Sequence, residues 1–281
     1  MVVSRGGGLP WAAVAAVVSF AWGSFAHAQT PVASDFASSY SSWTNGSNQS
    51  TNLGAWDLTN NNNDPDGDPN RFAGYFLGDS TAGAGDINTA GQSFGVYAHP
   101  GGTFADASLD LNSQLTSGRT LTFDMAVNFD NGAKGFSLIE SGSGNEILNW
   151  NLGGGAATNS NFTKNETTAQ YDYGGGDAVL NVSMTLDSAS SLSYLINRTS
   201  SLGFQGTLFE GTISGITSLP SSLKFYVSGT DNGDAANNIY FNSIEVSPVP
   251  EPGSLSLAFL ATAIPAVASF RWFSSRQQRR D

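Results

Sequence analysis

The densest set of metal-type oxygen donors lies in residues 60–70, Asn-Asn-Asn-Asn-Asp-Pro-Asp-Gly-Asp-Pro-Asn. Oxygens of Asp64, Asp66, Asp68 and Asn70, alternating around Gly67, suit a hard Ca²⁺ ion, which takes about six to eight oxygens from a chain that curls around it. An EF-hand needs Glu at the twelfth loop position; counted from Asn62 that position is Ala73, so a calcium loop here is of another type. The same Asp, Asn, Pro and Gly residues also build a solvated turn with no metal. A shorter echo, Asp231-Asn232-Gly233-Asp234, has the spacing of a tight turn.

Aromatic rings supply a second chemistry. A flat ring stacks on the apolar face of a pyranose while Asn and Asp side chains bond its hydroxyls, which makes Trp43, Trp56, Tyr171 and Tyr173 candidates for carbohydrate contact. Tyr171 and Tyr173 flank Asp172 ahead of three glycines and belong to a loop. Trp150 shares the strand phase of Leu148 and Leu152, which assigns it to the core.

Catalytic material is sparse. Outside the first 28 residues the one histidine is His99, in the turn-rich run His99-Pro100-Gly101-Gly102. A triad of serine, His99 and Asp106 can be drawn, but serine is too abundant for the pattern to be specific. Glycosidic hydrolysis needs two carboxylates across a cleft. Glu140 and Glu146 straddle the turn 141–145 instead of sharing one strand face. Without cysteine there is no thiol nucleophile, thiolate metal site or disulfide. Asn-x-Ser/Thr triplets begin at Asn45, Asn48, Asn161, Asn165, Asn181 and Asn197, the expected accident of a chain rich in these residues.

These residues must be positioned by strands. Leu121, Phe123, Met125, Val127 and Phe129 alternate with Thr120, Thr122, Asp124, Ala126 and Asn128, the period of a half-buried strand. The same period runs through Leu180–Val182–Met184–Leu186 and Leu223–Phe225–Val227. Asp130-Asn131-Gly132, between the first strand and 136–139, predicts a hairpin. Ile239 and Phe241 fall in one phase and Ile244 and Val246 in the other, which predicts a β-bulge near Asn242. No stretch of the central region has a 3.6-residue period, and turn signals recur throughout.

Composition and the two chain ends set the context. A net charge of −12, from 11 Lys+Arg against 23 Asp+Glu, leaves no basic surface for phosphates and excludes nucleic acid as a partner. Residues 29–247 hold six of the cations and 21 of the anions, a net near −15. Arg5, an apolar run over 11–25 and the small-x-small triplet Ala26-His27-Ala28 form a secretory signal peptide over residues 1–28, with cleavage before Gln29. The stretch 253–270 carries no charge and, extended to 273, is long enough to cross about 30 Å of hydrocarbon. Arg271, Arg276, Arg279 and Arg280 follow it and place the extreme C-terminus in the cytoplasm. Pro250 and Pro252 keep the peptide ahead of the span extended and unpaired.

The order Pro250-Glu251-Pro252, apolar span, Arg-rich tail over residues 248–281 resembles the PEP-CTERM sorting signal of exopolysaccharide-producing bacteria. The resemblance implies recognition by an exosortase, a transpeptidase-like membrane enzyme, and delivery through an inner-membrane intermediate to the cell surface or extracellular matrix. An ordinary C-terminal anchor with a Pro-rich neck is the plainer alternative. The strand patterns Leu192–Tyr194–Ile196, 206–213, 223–227 and 238–242 resemble those of laminin-G and concanavalin-like jelly rolls, with the last beside the N-terminal strand.

The expected fold class is all-β. Residues 29–247 form a two-sheet antiparallel, jelly-roll-like β-sandwich, flanked by the signal peptide and a single transmembrane helix over 253–273. The expected function is non-catalytic binding or organisation of exopolysaccharide, with Ca²⁺ as a candidate cofactor. Two alternatives stay open: a polysaccharide-active hydrolase, and a self-associating structural or adhesive protein built on an uncharged edge strand.

Overall fold

The computed structural model describes residues 30–62, 71–129, 131–153, 159–161, 169–170, 178–199 and 205–249. Within them the chain forms β1 (Ala33–Asp35), β2 (Trp56–Asn60), β3 (Phe72–Gly78), β4 (Ser93–His99), β5 (Phe104–Asp110), β6 (Arg119–Val127), β7 (Ala133–Glu140) and β8 (Glu146–Gly153). It continues with β9 (Asn159–Asn161), β10 (Ala169–Gln170), β11 (Ala178–Ser188), β12 (Ser191–Arg198), β13 (Gly206–Ser214), β14 (Pro220–Ser228) and β15 (Ile239–Pro248). The helical turns among the described residues are short 3₁₀ pieces at Ala37–Ser39, Ser80–Ala82 and Ala235–Asn237.

The strands form two antiparallel sheets. One has the order β13-β12-β11-β6-β15-β4-β3, with β1 paired to β15; the other runs β10-β9-β8-β7-β14-β5-β2. The strand periods read from the sequence assign the inward faces correctly except at Phe129, which lies beyond the end of β6 and is 47% exposed, because the chain has already left the strand there. Leu121, Phe123, Met125 and Val127 are buried, as are Leu180, Val182, Met184 and Leu186 on the neighbouring strand and Leu223, Phe225 and Val227 in the opposite sheet. At the centre the sheets meet through aromatic rings: Phe225 stacks on Phe241 at 3.7 Å between centroids, and Phe123 meets Phe136 and Phe225 edge-on at 5.0 and 5.1 Å.

The expected bulge is present. The β15–β6 register shifts between Asn242 and Glu245, and Ser243 takes the left-handed φ of 54°. The extra residue restores the phase, so Ile239, Phe241, Ile244 and Val246 are all buried. The bulge also turns the Asn242 amide under a surface segment. Its Oδ1 accepts from Ala37 N at 3.0 Å, and its Nδ2 donates to Ile87 O and Gln92 O at 3.0 Å and lies 3.1 Å from Thr89 Oγ1. As expected, β15 lies beside the N-terminal strand, with Ala33 opposite Val246.

The hairpin expected at residues 130–132 is not formed. β6 is already flanked by β11 and β15, so β7 has no edge to join and crosses to the other sheet, between β14 and β8. Gly132 supports the crossover with φ of 66°, and a Cβ there would strike the Ser228 carbonyl. The glycine is a turn signal in both geometries, but strand vacancy decides between them. Lys134, fully buried just beyond the crossover, donates from Nζ to Phe129 O at 2.7 Å and Asn237 O at 2.8 Å.

Among the described residues no helix is long and apolar enough to cross a membrane. The signal peptide with Ala26 and Ala28, the span 253–273, the Pro250-Glu251-Pro252 motif and Arg271, Arg276, Arg279 and Arg280 lie outside those residues.

Candidate functional site

The two outer faces differ in cover. Over β6 and β15 the eight-stranded sheet is roofed by the segment around Ser80–Ala82, where Ala84 and Ile87 pack on Ala126 and Tyr240. The outer face of the seven-stranded sheet instead holds a cleft of about 390 Å³ over β5, β14, β7 and β8.

Strand register builds this cleft row by row. Asp106 on β5 stands opposite Tyr226 on β14, Tyr226 opposite Gly135 on β7, and Gly135 opposite Asn151 on β8. Because Gly135 has no side chain, the Tyr226 ring reaches across β7, and its hydroxyl lies 3.1 Å from both Asn149 Oδ1 and Asn151 Oδ1. A Cβ at 135 would strike the Trp150 carbonyl. The adjoining row places Ser108, Lys224, Ser137 and Asn149 side by side. At its end the Glu146 carboxylate accepts from Ser137 Oγ at 2.7 Å and Asn149 Nδ2 at 3.0 Å, with Lys224 Nζ at 3.6 Å. Lys224 Nζ also lies 5.7 Å from the Tyr226 ring centroid. Phe104, 40% exposed at the start of β5, forms an aromatic rim.

Burial dominates the electrostatics. It pushes the Asp106 carboxyl above its ordinary value, Glu146 adding to the rise and Lys224 opposing it. The Tyr226 phenol is pushed up by burial and by the negative charges of Glu146 and Asp106, against the Asn149 hydrogen bond, so it remains a proton donor at neutral pH. One phenolic proton serves only one of the two Asn oxygens at a time. Tyr226→Phe is expected to cost about 1 kcal/mol of stability, measured by urea denaturation. A midpoint identical to the parent's would show that the Tyr226 hydroxyl contributes nothing to holding β14 and β8 together.

The ring candidates fall differently from expectation. Trp43 and Trp56 are 6% and 1% exposed and pack on each other at 5.2 Å and against Phe94, so they belong to the core and present no face to a sugar. Strand phase, the signal that assigned Trp150 to the core, also puts Trp56 inside with Leu58, whereas Trp43 lies outside any strand. Trp150 is fully buried, as expected. Tyr171 and Tyr173, and the calcium candidates Asp64, Asp66, Asp68 and Asn70, lie outside the described residues. Among the described residues no group of three or more His, Asp or Glu converges to hold a metal ion. The Asp231–Asp234 loop closes on itself: Asn232 Oδ1 accepts from Asp234 N and Asp234 Oδ1 from Ala236 N.

No catalytic constellation forms from the sequence candidates. His99 ends β4 in the other sheet, stacked on Phe72 at 5.1 Å, while Asp106 faces the cleft. Glu140 is buried and holds Thr217 N and Ser143 Oγ at 3.1 Å, latching the β7–β8 turn, whereas Glu146 binds Ser137 and Asn149. The residues that do converge, Asp106, Asn149, Asn151, Lys224 and Tyr226, carry one readable signal: each alternates with core residues along its strand, as Lys224 and Tyr226 do with Leu223, Phe225 and Val227.

The sequence matches no known family model and no curated protein. Among solved structures, a sialidase is similar over 62% of this chain and 17% of its own, with a TM-score of 0.38 and 8% identity. The toad ovary galectin in complex with thio-digalactose is similar over 50% of this chain and 98% of its own, with a TM-score of 0.33 and 16% identity. A carbohydrate esterase of the Shiga toxin-encoding bacteriophage phi24B is similar over 69% and 90%, with a TM-score of 0.39 and 12% identity. The chain thus spans about a sixth of the sialidase, and likeness at this level assigns no activity.

Proposed function

We propose that this is an exported bacterial surface or matrix protein whose β-sandwich binds extracellular polysaccharide without catalysing its breakdown. One observation carries the binding reading: the open cleft on the seven-stranded sheet, where Asp106, Asn149, Asn151, Lys224 and Tyr226 converge beneath the Phe104 rim. Fixed amide, phenol and carboxylate groups beside an exposed ring match a polyhydroxylated ligand with one apolar face. Glu146 is committed to Ser137, Asn149 and Lys224, which favours binding over acid–base chemistry.

Export and sorting rest on the sequence. Residues 1–28 direct secretion, 29–247 are the displayed domain, and 248–281 are the sorting segment, with Pro250-Glu251-Pro252 presented to an exosortase and Arg271, Arg276, Arg279 and Arg280 held in the cytoplasm. The protein then passes from a membrane-held intermediate to the surface or matrix. Ca²⁺ at Asp64, Asp66, Asp68 and Asn70 would moderate the acidity of the displayed domain.

The test is a glycan array probed with the detergent-solubilised full chain, with and without chelator. Retention of at least one glycan, without release of reducing ends, is the expected result. Silence on every glycan in both conditions overturns polysaccharide binding, and release of reducing ends overturns its non-catalytic character. Separately, a tag placed after Gln29 should appear at the cell surface. A cytosolic chain with both ends uncut overturns the sorting reading.

A further inference from the structure

The groups facing the cleft are unevenly divided between donors and acceptors. Asn149 Oδ1 and Asn151 Oδ1 share a single phenolic proton from Tyr226. Asn149 Nδ2 is spent on Ser137 Oγ at 3.1 Å and Glu146 Oε2 at 3.0 Å. Lys224, the one cation lining the cleft among the described residues, is drawn to Glu146 at 3.6 Å. The Asp106 carboxylate lines the cleft with no hydrogen bond to its side chain among the described residues. Once Glu146 balances Lys224, one negative charge and the oxygens of Asp106, Asn149 and Asn151 remain for the ligand to satisfy, against the two protons of Asn151 Nδ2 on the donor side. An acceptor surplus calls for a ligand rich in donors, and an unbalanced carboxylate calls for a positive one.

Resting on the polysaccharide-binding reading, we propose that the cleft recognises an amino sugar, its ammonium group seated against Asp106 and its ring hydroxyls donating to Asn149 and Asn151. An ammonium brings three donors on one compact charge, so it meets both requirements at once. A uronate would bring a third negative charge beside Asp106 and Glu146 and would have to draw Lys224 away from its partner. A neutral or N-acetylated sugar would supply hydroxyl donors but leave the net negative charge of Asp106, Glu146 and Lys224 unbalanced. The chain's net charge of −12 favours encounter with a cationic polymer over an anionic one.

The experiment titrates the detergent-solubilised full chain with a glucosamine trisaccharide, its fully N-acetylated counterpart, and a panel of neutral and uronate oligosaccharides. The glucosamine trisaccharide is expected to bind at least tenfold more tightly than the N-acetylated one. Asp106→Asn should remove that preference, whereas Glu210→Gln, which deletes the same charge from exposed β13 in the other sheet, should change affinity less than twofold. Lys224→Gln, which relieves like-charge repulsion, should tighten amine binding severalfold and gives an independent reading if Asp106→Asn fails to fold. Equal affinity for the two trisaccharides, or a Glu210→Gln loss as large as that of Asp106→Asn, overturns the inference. Binding confined to a neutral or uronate glycan overturns it too but leaves polysaccharide binding standing, whereas silence across the panel overturns both.

Discussion

Phe225→Ala is expected to lower unfolding stability by about 3–5 kcal/mol, the range for removing a buried aromatic side chain and leaving a cavity. Phe225 is fully buried, stacked on Phe241 with 4° between ring planes and edge-on to Phe123 at 5.1 Å. These contacts join β14 to β15 and β6 of the opposite sheet, so truncation empties the seam where the layers meet. Phe225→Leu, which keeps much of the volume, should cost less than half as much. Guanidinium denaturation of both variants checks the pair. A loss below about 1 kcal/mol for the alanine variant would mean that the surrounding side chains close the gap and that this stack does not hold the layers together. Lys224 and Tyr226 sit on either side of Phe225, so the alanine variant should also weaken glycan binding.

The second large effect concerns Asp35, which is 1% exposed on β1. Its Oδ2 accepts from Trp56 Nε1 at 2.8 Å and from Tyr40 Oη at 3.0 Å, tying the first strand to the opposite sheet. Burial pushes its carboxyl from 3.8 up to about 6, against the lowering effect of these hydrogen bonds. The folded state therefore holds the Asp35 proton more tightly than the unfolded chain does. The resulting stability is fully present below about pH 4 and is lost as pH rises through 6, a change of about 3 kcal/mol. Asp35→Asn should flatten this part of the profile, so the parent-minus-variant difference falls by about 3 kcal/mol between pH 4 and 7. Parallel profiles would show that Asp35 titrates normally. Asp35→Ala should flatten the profile in the same way and lie a further ~1–3 kcal/mol below Asp35→Asn at every pH in that range, because Trp56 Nε1 and Tyr40 Oη lose their buried acceptor.

Much of the sandwich was legible because period-two alternation is a local property. Leu121 to Val127 and Leu223 to Val227 show their buried faces with no knowledge of their neighbours. The phase slip between Phe241 and Ile244 likewise announces the bulge, since only an extra residue returns both halves to one core. Trp43 and Trp56 were misjudged because a large indole suits both a sugar platform and an interior. Composition does not separate the two, whereas the strand phase of Trp56 would have.

By itself the sequence determined an acidic, cysteine-free, strand-built chain, the residues that alternate outward on its strands, and an apolar stretch near each end, the second followed by four arginines. Only the tertiary structure decided that β7 leaves β6 for the other sheet, and that Asp106, Tyr226, Gly135 and Asn151 stand in one row. The physical reason is range. Side-chain alternation follows from the backbone's own geometry, but which strands become neighbours depends on edges left vacant by segments far away in the chain. A cleft assembled from residues 106, 135, 151 and 226 has no local signature because no two of them share a strand.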